Sequence, residues 1–251
     1  MHYVALLLLL ACSQALPPLQ IQSGDKTSVV QLSDVHRDAY QTVRVKDPNS
    51  GKVVSYDAIE LGALLSTFAA NWPESEHLLF HCADGYLAEV PIPAVQKHQG
   101  FLAYNLPGSD FSFQPPAAPE PVSLGPYYLI WSSGDKSLPW PYQVTRIQIG
   151  SHAMPRLVDP PGPVASGEKL FRAKCLACHS LAGAGGSVGP ELLRPVGVTR
   201  YFKREYLARW IANPASIRSG ARMPAFGQEL SGKEIEQLID YLEHLDRNPD
   251  V

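Results

Sequence analysis

This chain of 251 residues has little methionine and cysteine and no excess of basic residues. It contains three methionines and four cysteines. Its 21 Lys and Arg are outnumbered by 24 Asp and Glu, which argues against a nucleic-acid-binding protein. The apolar run from Val4 to Ala11 is too short to cross a bilayer. A chain of this length that is 45% hydrophobic is globular and can form two modest cores.

The first fifteen residues have the pattern of a signal peptide. Pro17-Pro18 follows the apolar run closely, and Ser13-Gln14-Ala15 is a small-x-small site for cleavage after Ala15. The alternative is a lipobox ending at Cys12, whose lipidation would tether the protein to a membrane. We favour secretion, because a leucine directly before the small residue makes a mediocre lipobox. Both interpretations predict an exported, periplasmic protein.

Two of the four cysteines lie in the run Cys175-Leu-Ala-Cys178-His179. Covalent haem attachment uses this pattern, because each sulfur adds to a haem vinyl group and the imidazole reaches the iron from the same turn. The alternative is a redox-active or zinc-binding Cys-x-x-Cys. Zinc would need a second pair of ligands nearby, and none follows. The run therefore predicts one covalently attached haem c.

Short helices are predicted on both sides of this run. Ser166 is a predicted N-cap for a helix over residues 167–174. Ser231 and Glu234 form a capping box that opens the last helix. The apolar stripe of that last helix consists of Ile235, Leu238, Ile239, Leu242 and Leu245.

With Gly189-Pro190 and Met223-Pro224 between these helices, roughly the last third of the chain resembles a class I cytochrome c. The resemblance implies that His179 is the proximal iron ligand and Met223 the distal one. It also implies a hydrogen bond from the imidazole to the carbonyl of Pro190. A soft thioether ligand stabilises ferrous iron and raises the reduction potential, as an electron carrier needs. The alternative for Met223 is a core methionine.

Prolines divide the chain. They are concentrated in residues 114–121, interpreted as a loop, and in residues 159–163, interpreted as part of a semi-rigid linker. We predict a signal peptide over residues 1–15, an N-terminal domain over 23–150, a linker over 151–165 and a cytochrome c domain over 166–248.

The N-terminal domain is predicted to mix strands with helices. One hairpin joins residues 42–46 to 52–56, and a second joins 77–82 to 86–92. Asp57 with Glu60 is expected to cap a helix that follows the first hairpin. Further strands are predicted over residues 101–105, 127–131 and 144–149. The predicted fold class is an α+β domain followed by an all-α cytochrome c domain.

A second resemblance lies in this N-terminal domain. Its most specific part is Asp84-Gly85-Tyr86, followed by a proline-containing strand and by Leu102-Ala103-Tyr104. With Gly125-Pro126 and the strand after it, the region is similar to the molybdopterin-binding domain of the sulfite-oxidase family. That family's molybdenum-ligating cysteine has no counterpart from Ser23 to Tyr56, and the arginine that follows its Gly-x-Pro is absent. We therefore expect the family's fold without its molybdopterin cofactor.

Cys82 is the cysteine of the N-terminal domain, on a predicted strand beside the Asp84-Gly85 turn. It is either a displaced metal ligand or a buried, inert thiol, and a single thiol on a strand favours the second. The four histidines of this region have no metal-ligand spacing and are expected on the surface or packed. They are His36, His77, His81 and His98.

These features predict an exported c-type cytochrome with no catalytic residue. It would exchange electrons with a redox protein such as a dehydrogenase, an oxidase or another cytochrome, and the N-terminal domain would be a docking or ligand-binding module. One alternative is a molybdenum-dependent oxidoreductase of sulfite-oxidase type with electron transfer to the haem. In another, the N-terminal domain is a membrane-side anchor. Association with a membrane is expected only if Cys12 is lipidated.

Overall fold

A computed structural model describes residues 18–69, 71–72, 75–115, 120–150 and 161–248. The predicted signal peptide, the lipobox cysteine Cys12 and most of the linker, residues 151–160, lie outside the described residues. Within the described ranges, no helix has the length and apolar character needed to cross a membrane.

Eleven strands in the described part of the N-terminal domain form two main sheets and one small pair. In chain order they are β1 (Leu19–Ser23), β2 (Lys26–Val30), β3 (Tyr40–Lys46), β4 (Val53–Glu60), β5 (His77–Cys82), β6 (Leu87–Pro91), β7 (Gly100–Asn105), β8 (Ser112–Phe113), β9 (Val122–Ser123), β10 (Tyr128–Trp131) and β11 (Val144–Ile149). One sheet has the order β2-β1-β11-β5-β6 and the other β10-β7-β4-β3, while β8 pairs with β9. Two helices, α1 (Leu61–Phe68) and α2 (Ile92–His98), follow β4 and β6.

Both predicted hairpins of this domain are confirmed. Strands β3 and β4 pair antiparallel from Tyr40 opposite Ile59 to Lys46 opposite Val53. Strands β5 and β6 pair antiparallel as well. The apolar side chains on their inner faces contribute to one core, in which Phe80, Tyr128 and Trp131 are fully buried. The N-terminal domain therefore has the predicted mixture of strands and helices.

The predicted cap of α1 is wrong. Strand β4 continues through Asp57 to Glu60, and the helix begins at Leu61 without a side-chain cap. The Asp57 carboxylate instead accepts hydrogen bonds from Thr42 Oγ1 at 3.1 Å and Asn105 Nδ2 at 2.8 Å. Pairing with strands on both sides outweighs the local capping pattern at this position.

Four α-helices and a small hairpin form most of the described part of the C-terminal domain. They are α3 (Gly162–Lys174), β12 (Ser180–Leu181), β13 (Ala184–Gly185), α4 (Val198–Tyr201), α5 (Arg204–Ala212) and α6 (Gly232–Arg247). Helix α3 crosses α6 closely at Gly167, where an added Cβ would lie 2.0 Å from the carbonyl oxygen of Gln237. Next to this crossing the rings of Phe171 and Tyr241 pack 5.7 Å apart. The domain is helical as predicted, apart from the two-residue strands.

The two predicted helix starts had different outcomes. The capping box of α6 is confirmed, since Glu234 N donates to Ser231 Oγ at 3.3 Å and Ser231 N donates to the Glu234 carboxylate at 2.8 Å. All five residues of its predicted apolar stripe are buried. The predicted cap Ser166 is wrong, because α3 begins at Gly162 with Pro163 in its first turn, a position where proline is tolerated. Residues 162–165, which the sequence analysis placed in the linker, are therefore helical.

Candidate haem-attachment site

The end of α3 forms the turn that carries the predicted attachment residues. Cys175 N donates to Phe171 O at 2.8 Å, which closes the helix. Cys178 N and His179 N then both donate to Cys175 O, at 3.0 and 2.8 Å. The structure therefore brings Cys175, Cys178 and His179 together in one turn.

The ring of His179 is oriented by the loop that follows. His179 Nδ1 lies 2.8 Å from Pro190 O, which confirms the expected contact. Because a carbonyl oxygen can only accept, Nδ1 must carry the proton, and Nε2 keeps a free lone pair for a metal. The loop approaches so closely that a Cβ on Gly189 would lie 2.3 Å from the imidazole Cε1, so only glycine fits there.

Both thiols of the turn lie in surroundings that disfavour charge. Burial raises the pKa of Cys175 to about 12, and burial also raises the pKa of Cys178, with a smaller contribution from Asp84. A neutral sulfur is therefore the stable form in this turn. Such an environment suits the uncharged thioethers that haem attachment would produce.

Glu191 holds the loop in place, and the sequence analysis did not identify it. Its carboxylate accepts backbone hydrogen bonds from Ala182, Gly183 and Leu193, each at 2.9 Å. Burial acts to raise the pKa of Glu191, but the N–H donors, led by Gly183, outweigh this effect and lower it. Since Glu191 directly follows Pro190, these bonds fix the carbonyl that orients His179. Its position directly after Gly189-Pro190 is the sequence feature that could have indicated this role of Glu191.

The predicted distal ligand, Met223, lies on the segment between α5 and α6 and is partly buried. This segment is tied to the end of α5, because Phe226 N donates to Ile211 O at 3.1 Å and Gly227 N donates to Ala212 O at 3.0 Å. Met223 therefore belongs to the same domain as the attachment turn but to a different segment.

These residues fit a covalently attached haem. The turn offers two neutral thiols, and the hydrogen bond to Pro190 directs the free Nε2 of His179 away from the loop. Met223 offers a thioether on an anchored segment of the same domain. His179 and Met223 would hold the iron of a c-type haem, and Cys175 and Cys178 would attach its vinyl groups.

Cys82 has the predicted character of a buried thiol. It is 8% exposed at the end of β5, and burial, with a contribution from Asp84, raises its pKa to about 12. Across the described residues, no group of three or more His, Cys, Asp or Glu side chains could hold a metal ion.

The Asp84-Gly85-Tyr86 turn reaches the attachment site. Leu87 N donates to Ala177 O at 2.9 Å, and Ser187 N donates to Gly85 O at 2.9 Å. Ala177 lies inside the Cys-x-x-Cys run, and Ser187 belongs to the loop that supports His179. No local sequence pattern indicated this contact, because it joins distant parts of the chain.

Comparisons with known proteins concern the C-terminal part. Residues 162–242 match the family model described as "Cytochrome C oxidase, cbb3-type, subunit III". Cytochrome c of Arabidopsis thaliana is 32% identical over 100 residues, which cover 33% of this chain and 88% of that protein. Cytochrome c6 of a Synechococcus species is 34% identical over 85 residues, which cover 32% of this chain and 67% of that protein.

A larger relative shares the same kind of segment. Cytochrome c oxidase subunit 2 of Alkalihalophilus pseudofirmus is 31% identical over 91 residues, which cover 32% of this chain. The match spans about a quarter, 25%, of that subunit's own length. Each of these three similarities covers about a third of this chain.

Proposed function

Because the chain belongs to the cytochrome c family through its C-terminal part, we propose that it carries electrons by means of one haem c. Cys175 and Cys178 attach the group, His179 is the proximal ligand and Met223 the distal one. When bound, haem supplies a one-electron ferric/ferrous couple. The observation that carries the proposal is the oriented imidazole of His179 in the same turn as Cys175 and Cys178.

The protein's own residues set the properties of this carrier. Pro190 holds the proton on His179 Nδ1, which leaves Nε2 as the ligating atom. Glu191 fixes the loop that carries Pro190. The thioether of Met223 favours the reduced state. If His179 and Met223 both hold the iron, the haem would have no ligand position left for substrate and would supply outer-sphere electron transfer.

We also propose that the chain is exported to the periplasm and that its N-terminal domain is a docking module for a redox protein. The contact between the Asp84-Gly85-Tyr86 turn and the attachment loop supports a role close to the haem. One family model and one similar protein carry names of cytochrome c oxidase subunits, which makes an oxidase one class of partner to test.

The N-terminal domain performs this role without molybdenum in our proposal. The thiol next to the Asp84-Gly85 turn is buried, and the raised pKa of Cys82 disfavours the thiolate that a metal would bind. Elemental analysis of protein made in a host competent for haem attachment and pterin-cofactor insertion tests this point. Iron without molybdenum supports an electron carrier. Near-stoichiometric molybdenum that is lost in Cys82→Ser would support the enzyme instead.

Covalent haem attachment is tested on the denatured chain. Haem should remain on the polypeptide after denaturing electrophoresis and should be absent from the double variant Cys175→Ala, Cys178→Ala. Cys82→Ala is the matched control, since it removes a buried thiol outside the turn and should keep the haem. Haem that dissociates from the denatured wild-type chain would refute attachment through these two sulfurs.

A further inference from the structure

The outer edge of the five-stranded sheet faces the attachment turn. Strand β6 is the last strand of this sheet, and its described neighbour is β5. An edge strand presents N–H groups that need partners outside the sheet. At Leu87 the partner belongs to the other domain, because its N–H donates to Ala177 O at 2.9 Å. The haem-attachment turn thus covers the start of β6.

A second main-chain bond lies on the other side of the hairpin tip. Ser187 N donates to Gly85 O at 2.9 Å. Ala177 directly precedes Cys178, and Ser187 lies two residues before Gly189, which packs on the ring of His179. One short turn of the N-terminal domain therefore contacts both the segment that attaches haem and the loop that orients its ligand.

The approach at Gly85 is close enough to exclude other residues. Gly85 has φ +89°, and an added Cβ would lie 2.5 Å from Ser187 Oγ and 3.1 Å from the Ser187 carbonyl carbon. Gly51, in the turn between β3 and β4, has a similar φ of +71° but no atom within 4 Å of an added Cβ. Both glycines adopt a backbone conformation in which a side chain would be strained. Only Gly85 also lies in a close contact between the two domains.

The side chain after this glycine lies beside the attachment turn. Tyr86 is partly buried and lines the same cleft as Leu176 and Ala177. Beside the contact, a cleft of about 380 Å³ runs between Glu89 of β6 and Arg172 and Leu176 of the C-terminal domain. The two domains therefore meet at the hairpin tip and separate beside it.

We propose that the hairpin tip, residues 83–87, is an intramolecular docking element that holds the N-terminal domain over the Cys178 side of the haem site. This inference rests on the proposed haem-carrier function and states where the N-terminal domain lies relative to the haem site. A protein partner that approaches this side meets the N-terminal domain first. The cleft of about 380 Å³ beside the contact leaves room for a small reagent but not for a protein.

Amide hydrogen exchange on the haem-loaded full chain tests the docking directly. The amides of Leu87 and Ser187 should be protected at least about tenfold relative to unstructured amides, since both donate across the contact. Exchange of both amides at the unprotected rate would overturn the proposal. A haem spectrum that is absent in the same sample would refute the proposed function instead, so the two failures are distinguishable.

Matched glycine variants then separate the contact from backbone strain. Gly85→Ala should lower the protection of the Leu87 and Ser187 amides by a factor of about ten or more. The haem spectrum and the protection of Phe80 in β5 should stay unchanged. Gly51→Ala bears similar backbone strain and should keep both amides protected. If Leu87 and Ser187 keep their protection in Gly85→Ala, the proposal is contradicted. If Phe80 loses its protection as well, the variant has unfolded the hairpin, and the exchange of Leu87 and Ser187 in the wild-type chain decides whether the domains are docked.

Electron-exchange rates test the covering role. In Gly85→Ala, oxidation of the ferrous protein by mitochondrial cytochrome c should be about threefold or more faster than in wild type, because a protein-sized probe gains access. Oxidation by ferricyanide, a small probe, should change little. Equal rates with the protein probe in both chains would show that the docked tip does not cover the route of electron exchange.

Discussion

Replacing Glu191 by glutamine tests whether one carboxylate holds the loop that orients His179. Oε1 accepts from Ala182 N and Leu193 N, and Oε2 accepts from Gly183 N. Glutamine keeps one oxygen but presents an NH₂ group to at least one of these donors. The loss of one charge-assisted hydrogen bond predicts a decrease of about 1.5–3 kcal/mol in the free energy of unfolding of the C-terminal domain.

The effect should depend on pH in one direction. Burial acts to raise the pKa of Glu191, but the backbone donors hold it below its usual value of 4.5. A carboxylate whose pKa is lower in the folded state stabilises the fold above its unfolded pKa and loses that effect as the pH falls through the folded pKa. The stability difference between wild type and Glu191→Gln should thus be constant near neutral pH and shrink in acid.

Urea unfolding of the haem-loaded protein, followed by haem absorbance, measures this difference. Glu229→Gln is the matched control: the Glu229 carboxylate is exposed, its ion pair with Lys174 is 2.8 Å long, and its loss should cost less than about 1 kcal/mol. A Glu191→Gln protein as stable as wild type at neutral pH would refute the anchoring role. A difference that does not shrink in acid would refute the contribution of its charge.

Two further changes test the helix crossing and the domain boundary. Gly167→Ala should destabilise the C-terminal domain by about 1–3 kcal/mol in urea unfolding, because the new Cβ would lie 2.0 Å from Gln237 O. The control Gly232→Ala places its Cβ in open space and should not destabilise the domain. If both variants are as stable as wild type, the close crossing is contradicted. Limited proteolysis within residues 151–160 should release a coloured fragment that begins near Pro161, since α3 starts at Gly162. Mass spectrometry identifies its start, and loss of the haem spectrum on cleavage would show that the domains share a core.

Local patterns predicted the parts of this structure that depend on neighbouring residues. The capping box of Ser231 and Glu234 set the start of α6, and alternating side chains located the hairpins β3-β4 and β5-β6. The spacing of Cys175, Cys178 and His179 predicted a single turn. The contact between His179 and Pro190 followed from the family resemblance and is present in the structure.

Long-range contacts were not predictable in the same way. Strand β1 pairs parallel with β11 from the far end of the N-terminal domain, which no local pattern can encode. The role of Glu191 depends on donors on both sides of a folded loop. At Asp57 the helix-capping pattern fails, because β4 pairs there with a strand on each side and stays extended. The contact of Gly85 with Ser187 likewise required the folded arrangement of both domains.

Iron ligation by His179 and Met223 is the most direct test of the proposed carrier. The ferric wild-type protein should show the weak sulfur-to-iron absorption band near the red end of the visible spectrum. Met223→Ala should abolish that band and lower the reduction potential, because the soft axial ligand that favours ferrous iron is lost. Met154→Ala, outside the haem domain, should change neither. A Met223→Ala protein with an unchanged band and an unchanged potential would contradict the assignment.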